Sequence, residues 1–180
     1  MDDIVKAAMA KWPHVPDCRG WLALDARGNW YMRDAGTQAA GAFPAAKGSR
    51  IDHLQLRAFI ARNYAADAQG QWYFQNGPQR VYVELEAAPW VWRVEADHAL
   101  ISHTGLAARY RSAWLDDSGR LFLDTDLGLG LVHSLDMGLA AEAVEAGDWV
   151  CGELPFAQMP ARFGYCLSPD AEKPPAGGLA

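Results

Sequence analysis

Cysteine is scarce in this chain, and the three present, Cys18, Cys151 and Cys166, form no C-x-x-C pair. An odd set without that spacing reads as reduced thiols in a cytoplasm. Positive charge is short as well: 16 Lys and Arg stand against 22 Asp and Glu, a net charge of −6. That balance excludes a general nucleic-acid binder, which needs a basic face to neutralise phosphate. It leaves room for a small anion held by two or three local arginines. No apolar run approaches a membrane span, and the acidic first residues have no apolar core behind them, so neither a membrane segment nor a signal peptide is expected. No H-x-x-x-H or H-E-x-x-H spacing occurs among the histidines, so no metal site and no cofactor are expected. Nothing in the chain is a strong catalytic signature.

What the chain does have is aromatic mass and a repeated phrase. Eight tryptophans in 180 residues are many, and each suits either a core or a stacking platform. Asp25-Ala-Arg-Gly28-Asn-Trp30-Tyr31 returns as Asp67-Ala-Gln-Gly70-Gln-Trp72-Tyr73, and more loosely as Asp116-Asp117-Ser118-Gly119-Arg120-Leu121-Phe122. An Asp caps a turn through its side chain, and a Gly three positions on takes the left-handed conformation that closes it. The aromatic or apolar residues that follow belong to a strand. The phrase is therefore a hairpin signal. Its return suggests a duplicated β unit, and a cleft between copies is a common place for a ligand.

Around those turns the pattern predicts a helix over Asp2 to Trp12, stopped by Pro13 and Pro16. A hairpin of Trp21–Leu24 with Trp30–Met32 follows. Gly36 to Gly48 reads as a loop, and a helix is expected from Ser49 or Asp52 to about Tyr64. A second hairpin turns at Asn76-Gly77-Pro78, and Arg80 to Glu86 alternates as a strand with one buried face. Trp90 to Val94 resumes as a strand. Ala113–Leu115 and Leu121–Asp124 flank the third turn. Gly128-Leu129-Gly130 reads as a loop, Ser134 to Glu145 as a helix, and Trp149 to Cys151 as a late strand. The expected class is α+β, built from antiparallel hairpin-plus-helix units: an N-terminal α+β subdomain over 1–75, a β-rich subdomain with a helix over 76–167, and a disordered tail over 168–180.

From Gly70 to Trp90 the chain resembles an uncharacterised bacterial family, a domain of unknown function with a duplicated core. Its pattern has a G-x-W-x-Y stretch, an arginine opening a helix of L-x-x-L-F character, and then Y-x-L-x-T-P-x-E-x-x-x-I-x-V-E-D-A-P-F. Gly28-Asn-Trp30-Tyr31 matches the first element, Arg50-Ile51 with Leu54, Leu56 and Phe59 the second, and Trp72 to Trp90 the third. The resemblance implies a two-part α+β fold whose second half is a barrel or sheet of pleckstrin-homology type. It also implies a nucleotide-like ligand at the junction and a signalling role. Two acids of the family pattern are missing, at Asn76-Gly77-Pro78-Gln79 and at Glu86-Ala87-Ala88-Pro89.

The expected function is a non-enzymatic binding or sensory protein with a cleft between subdomains for a small anionic, nucleotide-like ligand. Trp30, Arg50, Asn76, Arg80, Glu84, Glu86 and Trp90 are its candidate residues. The arginines would hold the anion, an aromatic would stack, and the acids would hold hydroxyls or orient the arginines. Lys47, Arg50 and Arg33 also stand near a glycine-containing loop that leads into a helix start, where anions are attracted. The other reading of Arg80, Tyr82, Glu84 and Glu86 is a solvated sheet face. A metal-dependent hydrolase using Asp124 and Asp126 stays open, as does a protein-interaction module or homodimer built on an exposed Trp patch.

Overall fold

The computed structural model describes residues 1–169. The chain is mixed α and β and divides into two compact units. The first comprises Met1–Leu24, Trp30–Glu86 and the segment from Cys166; the second comprises Asp25–Asn29 and Ala87–Tyr165. The division expected after residue 75 thus falls between Glu86 and Ala87. From residue 170 on, the tail expected to be disordered lies outside the described residues.

In the first unit, helix α1 (Asp3–Lys11) precedes strands β1 (Cys18–Leu24) and β2 (Trp30–Met32). Helix α2 (Ala35–Ala40), strand β3 (Ser49–Arg50) and helix α3 (Leu54–Arg62) follow, then β4 (Tyr64–Ala66), β5 (Trp72–Asn76) and β6 (Gln79–Leu85). The strands form one sheet in the order β3-β2-β1-β6-β5-β4. Its hairpin pairs are antiparallel, but β1 and β6 run parallel, so the sheet is mixed rather than purely antiparallel.

That central position corrects the expectation of one buried face for β6. Tyr82, Val83, Glu84 and Leu85 are all buried. The alternation was real, but the supposed solvent face is covered: the Arg19 guanidinium lies 3.9 Å above the Tyr82 ring, and the Tyr73 and Tyr82 rings meet edge-on at 5.9 Å. The unit's core is aromatic. Trp30 meets Tyr64 edge-on at 5.2 Å, and Phe59 meets Phe74 edge-on at 5.3 Å.

Three more expectations change here. The Gly36 to Gly48 loop contains α2, capped by the Asp34 carboxylate accepting from the Thr37 N–H. The segment is held by Arg33, which is only 4% exposed and donates to the carbonyls of Gly20, Gly41 and Ala46. Arg33 is thereby committed to carbonyls. The cap of α3 is neither Ser49 nor Asp52. Ser49 and Arg50 pair with Met32 and Tyr31 as an edge strand, and His53 Nδ1 accepts from the Leu56 N–H instead. Tyr64, placed in the helix by its pattern, opens β4.

The second unit holds β7 (Trp90–Val94), β8 (Leu100–Ser102), β9 (Ala107–Ala108), β10 (Tyr110–Leu115), β11 (Leu121–Thr125) and β12 (Gly128–Val132). Helix α4 (Met137–Glu145), β13 (Cys151–Glu153) and α5 (Met159–Phe163) complete it. The sheet order is β13-β10-β11-β12-β7-β8-β9, with β12 parallel to β7 and β13 parallel to β10. Gly128-Leu129-Gly130, expected as a loop, is a central strand. A Cβ on Gly130 would lie 2.7 Å from Trp90 Cβ, so the glycine is there to let two tryptophans pack across the strand. Trp90 and Trp92 stack at 5.9 Å, and their indole N–H groups donate to the carbonyls of Leu127 and Leu123. Among the described residues, no helix is long and apolar enough to cross a membrane.

Candidate functional site

The three copies of the repeated phrase fold into the same turn. In each, the first Asp takes the backbone N–H groups two and four residues on through one carboxylate oxygen. Asp25 takes Arg27 and Asn29, Asp67 takes Gln69 and Gln71, and Asp116 takes Ser118 and Arg120, all at 2.7–2.9 Å. The backbone closes each turn from the N–H of Gly28, Gly70 or Gly119 to the carbonyl of its Asp. The glycines stand at φ between +75° and +79°, where a side chain is strained.

Two of these turns, the first and the third, belong to the second unit and share a cavity of about 360 Å³. Ala26 and Arg27 come from the first turn, Gly119 and Arg120 from the third, and Ser134 from the segment before α4. Leu121, Leu131, Val132 and Met137 form its apolar side. Among the described residues, no acidic side chain lines it. The turn aspartates are consumed by their own turns: Asp25 is 5% exposed, and the Asp116 side chain is fully sealed.

The two arginines differ in how they are held. Arg120 Nε donates to Asp116 Oδ2 at 2.7 Å, and its guanidinium rests 4.4 Å above the Phe156 ring. One edge of the fork is thus fixed, and the group is clamped in direction. Arg27 is exposed and makes no ion pair with any described residue. Beside the cavity, Arg93 pairs with Asp136 through two bonds, and that guanidinium holds the Asp136 carboxyl below the usual carboxylate range. The His133 pKa is lowered, first by desolvation and then by Arg93. His133 is therefore neutral at pH 7, with Nδ1 accepting from the Leu135 N–H. The lining thus carries two guanidinium groups, one of them already paired with Asp116, and no carboxylate among the described residues. Chemically, it can hold an anion against an apolar wall.

The residues expected from sequence fall elsewhere. Trp30 is core, 2% exposed on β2. Arg50 is exposed and paired with Asp52 at 2.7 Å. Asn76 ends β5, exposed, opposite Gln79. Glu84 is buried on β6, and Glu86 takes Lys47 at 2.8 Å. Trp90 is buried in the second unit, where it stacks on Trp92. Arg80 lies 4.8 Å over the Tyr73 ring and lines a different cavity of about 370 Å³, with Trp12, Asp17 and Gln75 around it. Asp124 sits within β11, and Asp126 accepts from the Arg109 N–H and faces its guanidinium at 3.3 Å. Among the described residues, no group of three or more His, Cys, Asp or Glu is placed to hold a metal ion. Arg27 and Arg120 were not among the residues expected from sequence, although both stand inside the repeated phrase.

Over residues 1–170 the chain matches a family profile. It belongs to DUF2944, described as a protein of unknown function (DUF2946). The resemblance to an uncharacterised domain family is thus upheld at family level. Among solved structures, DUF2944 as seen here is similar to a DUF1285 family protein from Shewanella baltica OS155. The identity is 14%, the match covers 68% of this chain and 91% of that one, and the TM-score is 0.46. No curated protein matches the chain.

Proposed function

We propose that this DUF2944 protein is a non-enzymatic binding module whose second unit takes a small anionic ligand. The observation that carries the reading is the pair of arginines, Arg27 and Arg120, brought by two copies of one turn to a cavity that no acidic residue lines among those described. Charge-assisted bonds from a guanidinium to a carboxylate or phosphate are about twice as strong as neutral ones, and Arg120 is already oriented for one. Ser134 and the Gly119 backbone stand in the same wall as further polar partners. A sensory role in a cytoplasm, with a nucleotide among the candidate ligands, belongs to the same reading. So does descent from duplicated hairpin-plus-helix units, supported by the common hydrogen-bond pattern of the three turns. The pleckstrin-homology outline of the second unit is supported by the meander β10-β11-β12 followed by a helix.

Titration by amide chemical shifts with inorganic phosphate, pyrophosphate and AMP, without added metal, tests the proposal. Saturating shifts at residues 26–28, 119–121 and 134 are expected, weakened about tenfold in Arg27→Ala and in Arg120→Gln. Shifts scattered over the surface, or equal affinity in both variants, would overturn it. AMP binding no tighter than phosphate would remove the nucleotide from the reading while leaving the anion.

A further inference from the structure

We propose that the ligand is a free single-chain amphiphile, an alkyl chain bearing a carboxylate or phosphate head. The proposal rests on the reading of the Arg27–Arg120 cavity as an anion site and names what lies behind the anion. A second cavity, of about 240 Å³, shares the lining residues Leu121 and Met137 with the first and lies along α4. Its walls there are Ala140, Ala141 and Val144, with Leu115 on the sheet side. Ala141, exposed on the helix, leaves the groove open where a longer side chain would close it. Among the described residues, Glu145 is the one charged group in this lining, and the head cations, Arg27 and Arg120, are in the neighbouring cavity.

The occupant follows from shape and charge. Among the described residues neither lining has an aromatic ring, so a flat base finds no stacking platform, while a flexible aliphatic chain finds aliphatic walls that meet at Leu121 and Met137. The polar end is cationic and single, which fits one anionic head. Apolar surface is left uncovered along this path: Leu115 is 36% exposed although it sits in a strand beside buried Ala113. Burying chain methylenes against such a wall is favourable roughly in proportion to the area covered.

Phosphate, butyl phosphate, octyl phosphate and octanol, each below its aggregation concentration, provide the test by the same chemical-shift titration. Affinity should rise roughly two- to fourfold per methylene until the groove is filled, and octanol should bind more weakly than octyl phosphate. Ala141→Trp, at an exposed helical position, should weaken octyl phosphate at least tenfold and leave inorganic phosphate unchanged. Co-sedimentation with vesicles of phosphatidylglycerol and phosphatidylcholine should show no binding. If phosphate binds at the arginines but octyl phosphate binds no tighter, or if Ala141→Trp changes neither, the amphiphile is overturned and the anion site stands. Equal binding of octanol, or vesicle binding that depends on Arg27, would likewise overturn a free anionic amphiphile. If neither phosphate nor octyl phosphate binds, the anion site itself falls, and this inference with it.

Discussion

A single imidazole gives this protein a measurable response to acid. His103 is partly exposed as a residue, but its Nε2 is sealed from solvent, and Nδ1 accepts from the Val91 N–H at 3.3 Å. The backbone of Gly28 crowds it: a Cβ there would stand 2.7 Å from His103 Cβ. Desolvation pulls the His103 pKa down to about 3, with the Asp25 charge opposing weakly. The unfolded chain protonates this histidine near the ordinary value of about 6.5, so it binds the proton that the folded chain refuses. Stability is therefore lost as pH falls through 6.5 and continues to fall toward 3. Between pH 7 and pH 5 the loss is roughly 2 kcal/mol, set almost wholly by the unfolded-state value. Urea melts at the two pH values measure it. His103→Gln, which has no charge to gain, should flatten most of that difference, and an unchanged slope in the variant would show that other groups carry it. His133, also shifted down by burial, adds in the same direction.

At the scale of elements, the repeated turn is the part of the fold that a reader of the sequence could see, because its chemistry is local. One carboxylate, two amide donors and a left-handed glycine are all within five residues. The same closure even recurs at Ser102 to Leu106, where a serine hydroxyl replaces the carboxylate and Gly105 closes the turn. Recurrence of the phrase is thus partly a recurrence of the best local solution for a hairpin. Burial then separates the copies. Asp116 is sealed and also holds Arg120, whereas Asp67 is partly open to water. Asp116→Ala should cost about 2–3 kcal/mol and Asp67→Ala about 1 kcal/mol, since water can replace only the second carboxylate. Thermal melts of the two variants check the order, and equal losses would show that burial is not what sets it. What was not legible depended on partners far away in the chain. Gly128 to Gly130 looked like a loop because glycine is a breaker, yet β12 needs a glycine where Trp90 and Trp92 cross it. Ser49 looked like a cap because nothing near it announced that β2 lacked an edge partner. Arg27 and Arg120 escaped notice as a pair because 93 residues of sequence separate turns that the fold brings to one cavity.

At the scale of the whole molecule, the chain does not finish one unit before it starts the other. It leaves the first unit after Leu24, returns at Trp30, leaves again after Glu86 and comes back at Cys166. The last return matters to the first unit's own sheet. The Cys166 N–H donates to the Gly70 carbonyl at 3.0 Å, and the Leu85 N–H donates to the Leu167 carbonyl at 2.8 Å. Cutting the chain at the apparent boundary therefore strips the first unit of a backbone strap. It leaves the buried Leu85 N–H of β6 and the half-buried Gly70 carbonyl before β5 without these partners, and an unmet buried group costs about 1–3 kcal/mol. A small unit with a stability of only about 5–15 kcal/mol when whole has little margin for such losses. Residues 1–86 expressed alone should give no cooperative thermal transition, although they carry all six strands of the first sheet. A fragment of that length that melted cooperatively, with the near-ultraviolet aromatic signal expected of packed Trp30, Phe59 and Phe74, would show that the strap is dispensable and that the first unit is complete without the return of the chain.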